Sequence, residues 1–389
     1  DAVTTGDTNV AIGYNAGTAI QDGEANTLLG TQAGQAVTSP AHNTLLGYVA
    51  GGALTTGATN IAIGSLSLDG CDTESNNLAI GFGALGGSVA GGEYNVAVGN
   101  YALTSLTSSD GNVAVGYEAG KAITGGGDGV VVIGYQAGVA LTDCSSSVFI
   151  GYQAGDGHDD EDHNIGIGRH AIGGSVAGGE YNVGMGSYTL DALTSGDENT
   201  SVGYNSSSGL STGSSNTCLG SGAGNSLTTG SSNVLIGTNA GTGSSPFGAL
   251  SDHDNHMVLG HNNITNAGIK VALTVTSDGR DKTDIEPFKM GLDFINELNP
   301  VTYRWDMRCN YSNKTPDGTH KKPELSAGLI AQDVEKLERE YGYKVEDKTS
   351  VITYVSSDGD YSLTYEKFIP VLINAVQELS AKVKELEEA

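Results

Sequence analysis

Asn60-Ile-Ala-Ile-Gly64 is one member of a series. Asn9-Val-Ala-Ile-Gly13, Asn26-Thr-Leu-Leu-Gly30, Asn43-Thr-Leu-Leu-Gly47 and Asn77-Leu-Ala-Ile-Gly81 share its form: an Asn, three small or apolar residues, then a Gly. The series continues through Asn233-Val-Leu-Ile-Gly237 to a degenerate copy, His256-Met-Val-Leu-Gly260. Its glycines fall at 13, 30, 47, 64, 81, 99, 116, 134, 151, 168, 186, 203, 220, 237 and 260, fifteen copies spaced by 17 or 18 until a last step of 23. A fixed period of this size marks a repeat architecture. A longer echo lies over it: Gly86-Gly-Ser-Val-Ala-Gly-Gly-Glu-Tyr-Asn-Val96 recurs unchanged at 173–183, 87 residues on. Within a copy, Val10 and Ile12 alternate with Asn9, Ala11 and Gly13, the periodicity of a strand. A second short run follows (16–20, 33–37, 119–123, 137–141), then a turn of Thr, Ser, Gly and Asp. Two strands and two turns in each 17-residue copy describe one rung of a parallel β-solenoid. Fifteen rungs at roughly 4.8 Å each predict a rod of about 70 Å.

Such a coil is thin. Its few aliphatic residues, often as small as Ala, leave apolar faces wet in an isolated copy. Three coils around one axis would cover them, with Ile12 and its counterparts at inward positions, in the apolar seam. The Asn-x-Ala-Ile-Gly phrase resembles the left-handed β-roll heads of trimeric autotransporter adhesins, which are parallel homotrimers. The period here is a little longer, which implies wider outer turns.

Charge divides the chain in two. Residues 1–276 carry three basic and 23 acidic residues, a net of −20, and residues 277–389 carry 15 and 22, a net of −7. Glycine follows the same boundary, with 53 of 59 before Ser277. A surface this negative repels phosphate backbones and anionic lipid headgroups, which disfavours nucleic-acid and membrane-surface partners. No apolar run approaches the roughly 20 residues of a membrane span. The start, Asp1-Ala-Val-Thr-Thr-Gly, has neither an initiator Met nor the basic and apolar regions of a signal peptide, as expected of a trimmed or fragmentary N-terminus. Cys71, Cys144, Cys218 and Cys309 show neither paired nor metal-type spacing.

Three phrases after the repeat carry a second resemblance. They are Ser277-Asp-Gly-Arg-Asp-Lys-Thr-Asp-Ile285, Gly291-Leu-Asp-Phe-Ile-Asn-Glu-Leu-Asn-Pro-Val-Thr-Tyr-Arg-Trp305 and Ala327-Gly-Leu-Ile-Ala-Gln-Asp-Val-Glu335. Together they resemble the intramolecular chaperone domain at the C-terminus of phage tail spikes, endosialidases and neck appendages. In that family the domain drives trimer assembly of the preceding fibre and then cuts itself off, as a serine peptidase that acts once on its own chain. The resemblance implies Ser277 as nucleophile, Lys282 as base and scission between Thr276 and Ser277. The chemistry is coherent, because a serine hydroxyl needs a base and a desolvated lysine can be one. Asp278 and Arg280 read as an ion pair holding the turn. The segments 291–298 and 331–340 read as helices, and 351–364 as a hairpin around Ser356-Ser-Asp-Gly359. A closing helix steps through Ile369, Leu372, Val376, Leu379, Val383 and Leu386 as a heptad seam, with Pro370 in its first turn. β-Branched residues at a with Leu at d favour two strands in isolation. The rest of the chain is expected to override so short a seam.

The expected architecture is therefore mostly β: a trimeric β-roll rod over 1–250, a repeat end and linker over 251–276, and an α+β chaperone domain over 277–389 ending in a coiled-coil helix. Three places on the rod are candidate sites. The residue after the repeat Gly is often aromatic, as at Tyr14, Tyr48, Phe82, Tyr117, Tyr135, Tyr152 and Tyr204. The column is a carbohydrate strip or, more plainly, a ladder covering rung edges. The acidic turn 156–163 could hold a hard cation or stand as a solvated face. His253, His256 and His261 gather where the repeat breaks, as metal ligands on a three-fold axis or as a cap. No cofactor is implied. The function expected is a trimeric viral fibre on the virion surface that reaches a host glycan or receptor. A cellular trimeric adhesin or surface filament is the alternative, and a glycan depolymerase a more distant one.

Overall fold

Every copy of the repeat phrase forms a strand. The computed structural model describes residues 6–88, 90–174, 178–264, 266–270, 274–356 and 359–389, without the side chain of Cys309. Position 89 and residues 175–177 of the echo, 265 and 271–273 of the expected linker, and the hairpin tip 357–358 lie outside the described residues. Fifteen three-residue strands, β1 (Val10–Ile12) through β15 (Met257–Leu259), pair in chain order as one parallel sheet. The pairing is in register throughout, Val10 facing Thr27 and Ile12 facing Leu29, for example.

The two fixed residues of the phrase explain that register. Gly99, with φ +139, adopts a backbone that side chains avoid, and a Cβ there would run into the carbonyl oxygen of Gly116 on the next coil. The asparagines form a buried ladder. Asn199 donates from its backbone N and from Nδ2 to Asn182 Oδ1, both at 3.0 Å, and Nδ2 also donates to the Gly213 carbonyl at 2.9 Å. Asn199 thus ties one coil to the next and satisfies a turn carbonyl that would otherwise be buried without a partner, as do Asn95 and Asn182. Val130 and Ser147 interrupt the ladder, and Asn164 donates instead to Ser147 Oγ at 3.1 Å.

The second run of each copy is not a strand. Ala16 N donates to Gly13 O and Ile20 N to Gly17 O, the short-range bonds of consecutive turns. Asn15 (φ 55) and Gly17 (φ 60) adopt left-handed backbone, which breaks extension and curls the chain back for the next strand. The coil's own core also differs from the expected faces. The middle residue of the strand points inward (Leu28, Leu45, Ala62, Ala79, Ala97), whereas Ile12 is 59% exposed and Ile61 40%. A coil this narrow has room for one inward side chain per strand, so the flanking aliphatic residues line the outer face. The largest inward residue, Phe149, sits opposite Gly166, whose missing Cβ would stand 2.8 Å from the ring.

The chain divides into Asp1–Asn263 and Ile264–Ala389. Among the described residues, the second unit holds three α-helices, α1 (Leu292–Glu297), α2 (Ala331–Glu340) and α3 (Phe368–Glu388). Two antiparallel pairs accompany them: β16 (Val301–Tyr303) with β17 (Ser326–Gly328), and β18 (Thr353–Val355) with β19 (Tyr361–Leu363). Met290, Phe294, Val334, Ile352 and Val371 make its core. Buried Glu338 on α2 accepts the backbone N–H groups of Val351 (2.9 Å), Ile352 (2.8 Å) and Thr353 (3.0 Å) and the Ser350 hydroxyl (3.1 Å), clamping β18 to the helix. On α3, Phe368, Val371 and Ala375 face the core, and the heptad residues Leu372, Val376, Leu379 and Val383 face out.

Candidate functional site

A tight turn places the first candidate. Asp278 accepts the Arg280 backbone N–H at 2.9 Å and pairs with its guanidinium at 2.6 Å, which opens a 3₁₀ turn at Gly279–Asp281. That pairing holds the Asp278 carboxyl below the usual range and raises Arg280. The turn returns Lys282 onto Ser277, and Nζ donates to Oγ at 2.6 Å. The same nitrogen reaches the Ser277 carbonyl at 3.4 Å. Both side chains are exposed within the single chain. The Ser277 hydroxyl and the Lys282 nitrogen thus lie within hydrogen-bond distance beside the Thr276–Ser277 peptide bond.

On the solenoid, the structure brings some of the aromatic residues together and leaves others apart. Tyr117, Tyr135 and Tyr152 stack face to face with centroids 5.3 Å apart. The column extends through Tyr101 to Phe82 on one side and through Tyr188 to Tyr204 on the other. Tyr14 and Tyr48 stand exposed away from this run. Tyr101, His170 and Tyr188 were not anticipated. They stand two residues past the repeat Gly rather than one, so a search of the first position alone passes over them. Beside the rings runs an amide ladder in which Gln153 donates to Gln136 (3.1 Å) and Gln136 to Glu118 (2.8 Å). Arg169 occupies the position after its repeat Gly, with Cζ 5.5 Å from the centroids of both Tyr152 and Tyr188. His170 stacks on Tyr188 at 5.4 Å and meets Tyr152 edge-on at 5.7 Å.

The acidic turn gathers Asp159, Asp160 and Glu161 within reach of one ion. Glu161 already accepts the backbone N–H groups of Asp159 (3.2 Å) and Gly178 (2.9 Å), so its carboxylate serves the loop. Glu74, 87 residues earlier, does the same for Asp72 and Gly91. His253 and His256 meet edge-on at 5.4 Å, with His253 beside Asp252 (3.4 Å) and His256 Nδ1 against the Asp254 carbonyl (2.8 Å). His261 accepts the Asn263 N–H at 3.1 Å.

A parallel β-solenoid followed by a small α/β unit that opens on a serine–lysine contact defines the class of this protein. Residues 277–343 match the family model described as the chaperone of endosialidase. The match begins on Ser277 and takes in Lys282, α1 and α2. Comparisons with curated proteins and with solved structures found no match. Among the described residues, no helix is long and apolar enough to cross a membrane.

Proposed function

We propose that the chain is a virion fibre of the tail-spike kind: a parallel homotrimeric shaft, reaching towards a host surface, whose C-terminal domain directs assembly and then cuts itself off between Thr276 and Ser277. The observation that carries this reading is the Ser277–Lys282 contact of 2.6 Å at the first residue of the chaperone match. In the step proposed, Ser277 Oγ attacks the Thr276 carbonyl carbon. Lys282, as the free amine, takes the hydroxyl proton and passes it to the Ser277 nitrogen as the C–N bond breaks. Water then opens the ester, which frees the Thr276 carboxylate and restores the serine hydroxyl. Burial favours the neutral amine of a lysine, the form that can act as a base. Exposure of the pair in the single chain therefore supports cutting after assembly, once neighbouring chains cover it. The outward aliphatic residues of the strands and the outward heptad of α3 support a homotrimer, since both are apolar surfaces that identical copies can bury.

Mass spectrometry and light scattering of the purified protein test this together. Wild type should assemble as a trimer of 39.6 kDa chains and then yield residues 1–276 and a fragment of 113 residues, 389 less 276. Ser277→Ala and Lys282→Ala should remain whole and still trimerise. A stable 39.6 kDa monomer would overturn the fibre reading, and a wild-type trimer that stays uncut through days of incubation would overturn the dyad.

A further inference from the structure

The solenoid unit, residues 1–263, contains two basic side chains against 23 acidic ones. Both lie on the aromatic column. Lys121 is 6.0 Å from the Tyr101 centroid and is engaged by Glu118 at 2.8 Å. Arg169 is different: among the described residues its guanidinium pairs with no carboxylate, and its contacts are the rings of Tyr152 and Tyr188. With no carboxylate engaging them among the described residues, its N–H donors are open to a bidentate acceptor.

We propose that Arg169, with Tyr152, His170 and Tyr188, forms a subsite for the anionic group of an acidic sugar within an otherwise neutral glycan. The inference rests on reading the chain as an attachment fibre. Aromatic faces suit the C–H faces of a pyranose ring, and the arginine fork suits a uronate or a sulfate ester. Two carboxylates stand close to the coil that carries His170. Asp156 and Asp191 approach Gly173 from two sides, with Oδ1 atoms 3.1 and 3.0 Å from where its Cβ would be, and the buried Asp156 Oδ1 has no hydrogen-bond partner among the described residues. Burial holds both carboxyls above the usual range, with His170 acting against that shift. The acidic surroundings select the ligand further. A polyanion would meet the field of the whole unit, whereas one isolated charge is screened from most of it within about 10 Å at ordinary salt.

Calorimetric titration of the assembled fibre with three oligosaccharides tests the subsite: one bearing a single uronate, one a single sulfate ester, and their neutral counterpart. At least one acidic oligosaccharide should bind about tenfold or more tightly than the neutral one, as expected for hydrogen bonds to a charged group. Arg169→Gln should erase that preference, Arg169→Lys should keep part of it, and Lys121→Gln should leave it intact. Which acidic compound binds distinguishes carboxylate from sulfate. A trimer that ignores both acidic compounds, or binds them equally as Arg169→Gln, overturns the subsite and leaves the fibre reading standing. That reading fails separately, on a monomeric mass.

Discussion

His158 occupies a buried column that neighbouring coils fill with Leu54, Cys71, Leu106, Ile123 and Leu141. Its ring packs against Phe149 at 4.9 Å, and neither ring nitrogen has a hydrogen-bond partner among the described residues. Burial pushes the imidazole down from 6.5 to about 4, with the Asp159 charge opposing. Below pH 6.5 the unfolded chain binds a proton that the folded coil refuses, so stability falls with pH until about 4 and this contribution is then fully lost. The loss is on the order of 3 kcal/mol per chain. His158→Leu should remove it: compared with wild type, the variant should keep its melting temperature better as pH drops through that window. Equal slopes would mean that the ring finds a partner when charged. Read along the chain, His158 belongs to the acidic run 156–163, where composition points to water and cations. Only the coil reveals that it turns inward while Asp159 and Asp160 stay exposed.

At the level of elements, spacing and chemistry were legible and local conformation was less so. The phrase ending in Gly99 announces its strand, because the glycine and the asparagine each have one structural task. The run 16–20 looks extended by composition, yet left-handed Asn15 and Gly17 turn it into a bend, a conformation set by closure of the coil rather than by side-chain preference. Both expected helices at 291–298 and 331–340 formed, with Phe294 of the first and Val334 and Leu337 of the second buried. The contact between Ser277 and Lys282 could be named from a family resemblance, but its closeness depends on the Asp278–Arg280 turn. Glu338 escaped notice altogether, for a glutamate on a polar helix gives no sign that it will be buried. Its four donors make a clear prediction. Glu338→Gln presents an amide N–H to backbone N–H groups and should destabilise the second unit by roughly 2–4 kcal/mol. Near-ultraviolet circular dichroism melts, which report Trp305 and the nearby tyrosines, would check it.

For the molecule as a whole, the division between inward and outward strand residues decides what a charge will do. Ile61 is 40% exposed in the single chain, while Ala62 beside it is fully buried. If the outer face packs on identical copies, Ile61→Asp places a carboxylate in that packing once per chain, and burying each unpaired ion costs several kcal/mol. The coil itself should tolerate the change. The expected outcome is a far-ultraviolet spectrum like wild type with a shift from trimer to monomer in light scattering, and an unshifted trimer would place the interface elsewhere. The exact echo at 86–96 and 173–183 has another consequence. Excising residues 87–173 would join Gly86 to Gly174 inside the same phrase and remove the five strands from 96 to 167, leaving every remaining strand in register. Unequal recombination between the two copies could thus shorten or lengthen the shaft by about 24 Å, five coils at a time, with no new junction for selection to repair.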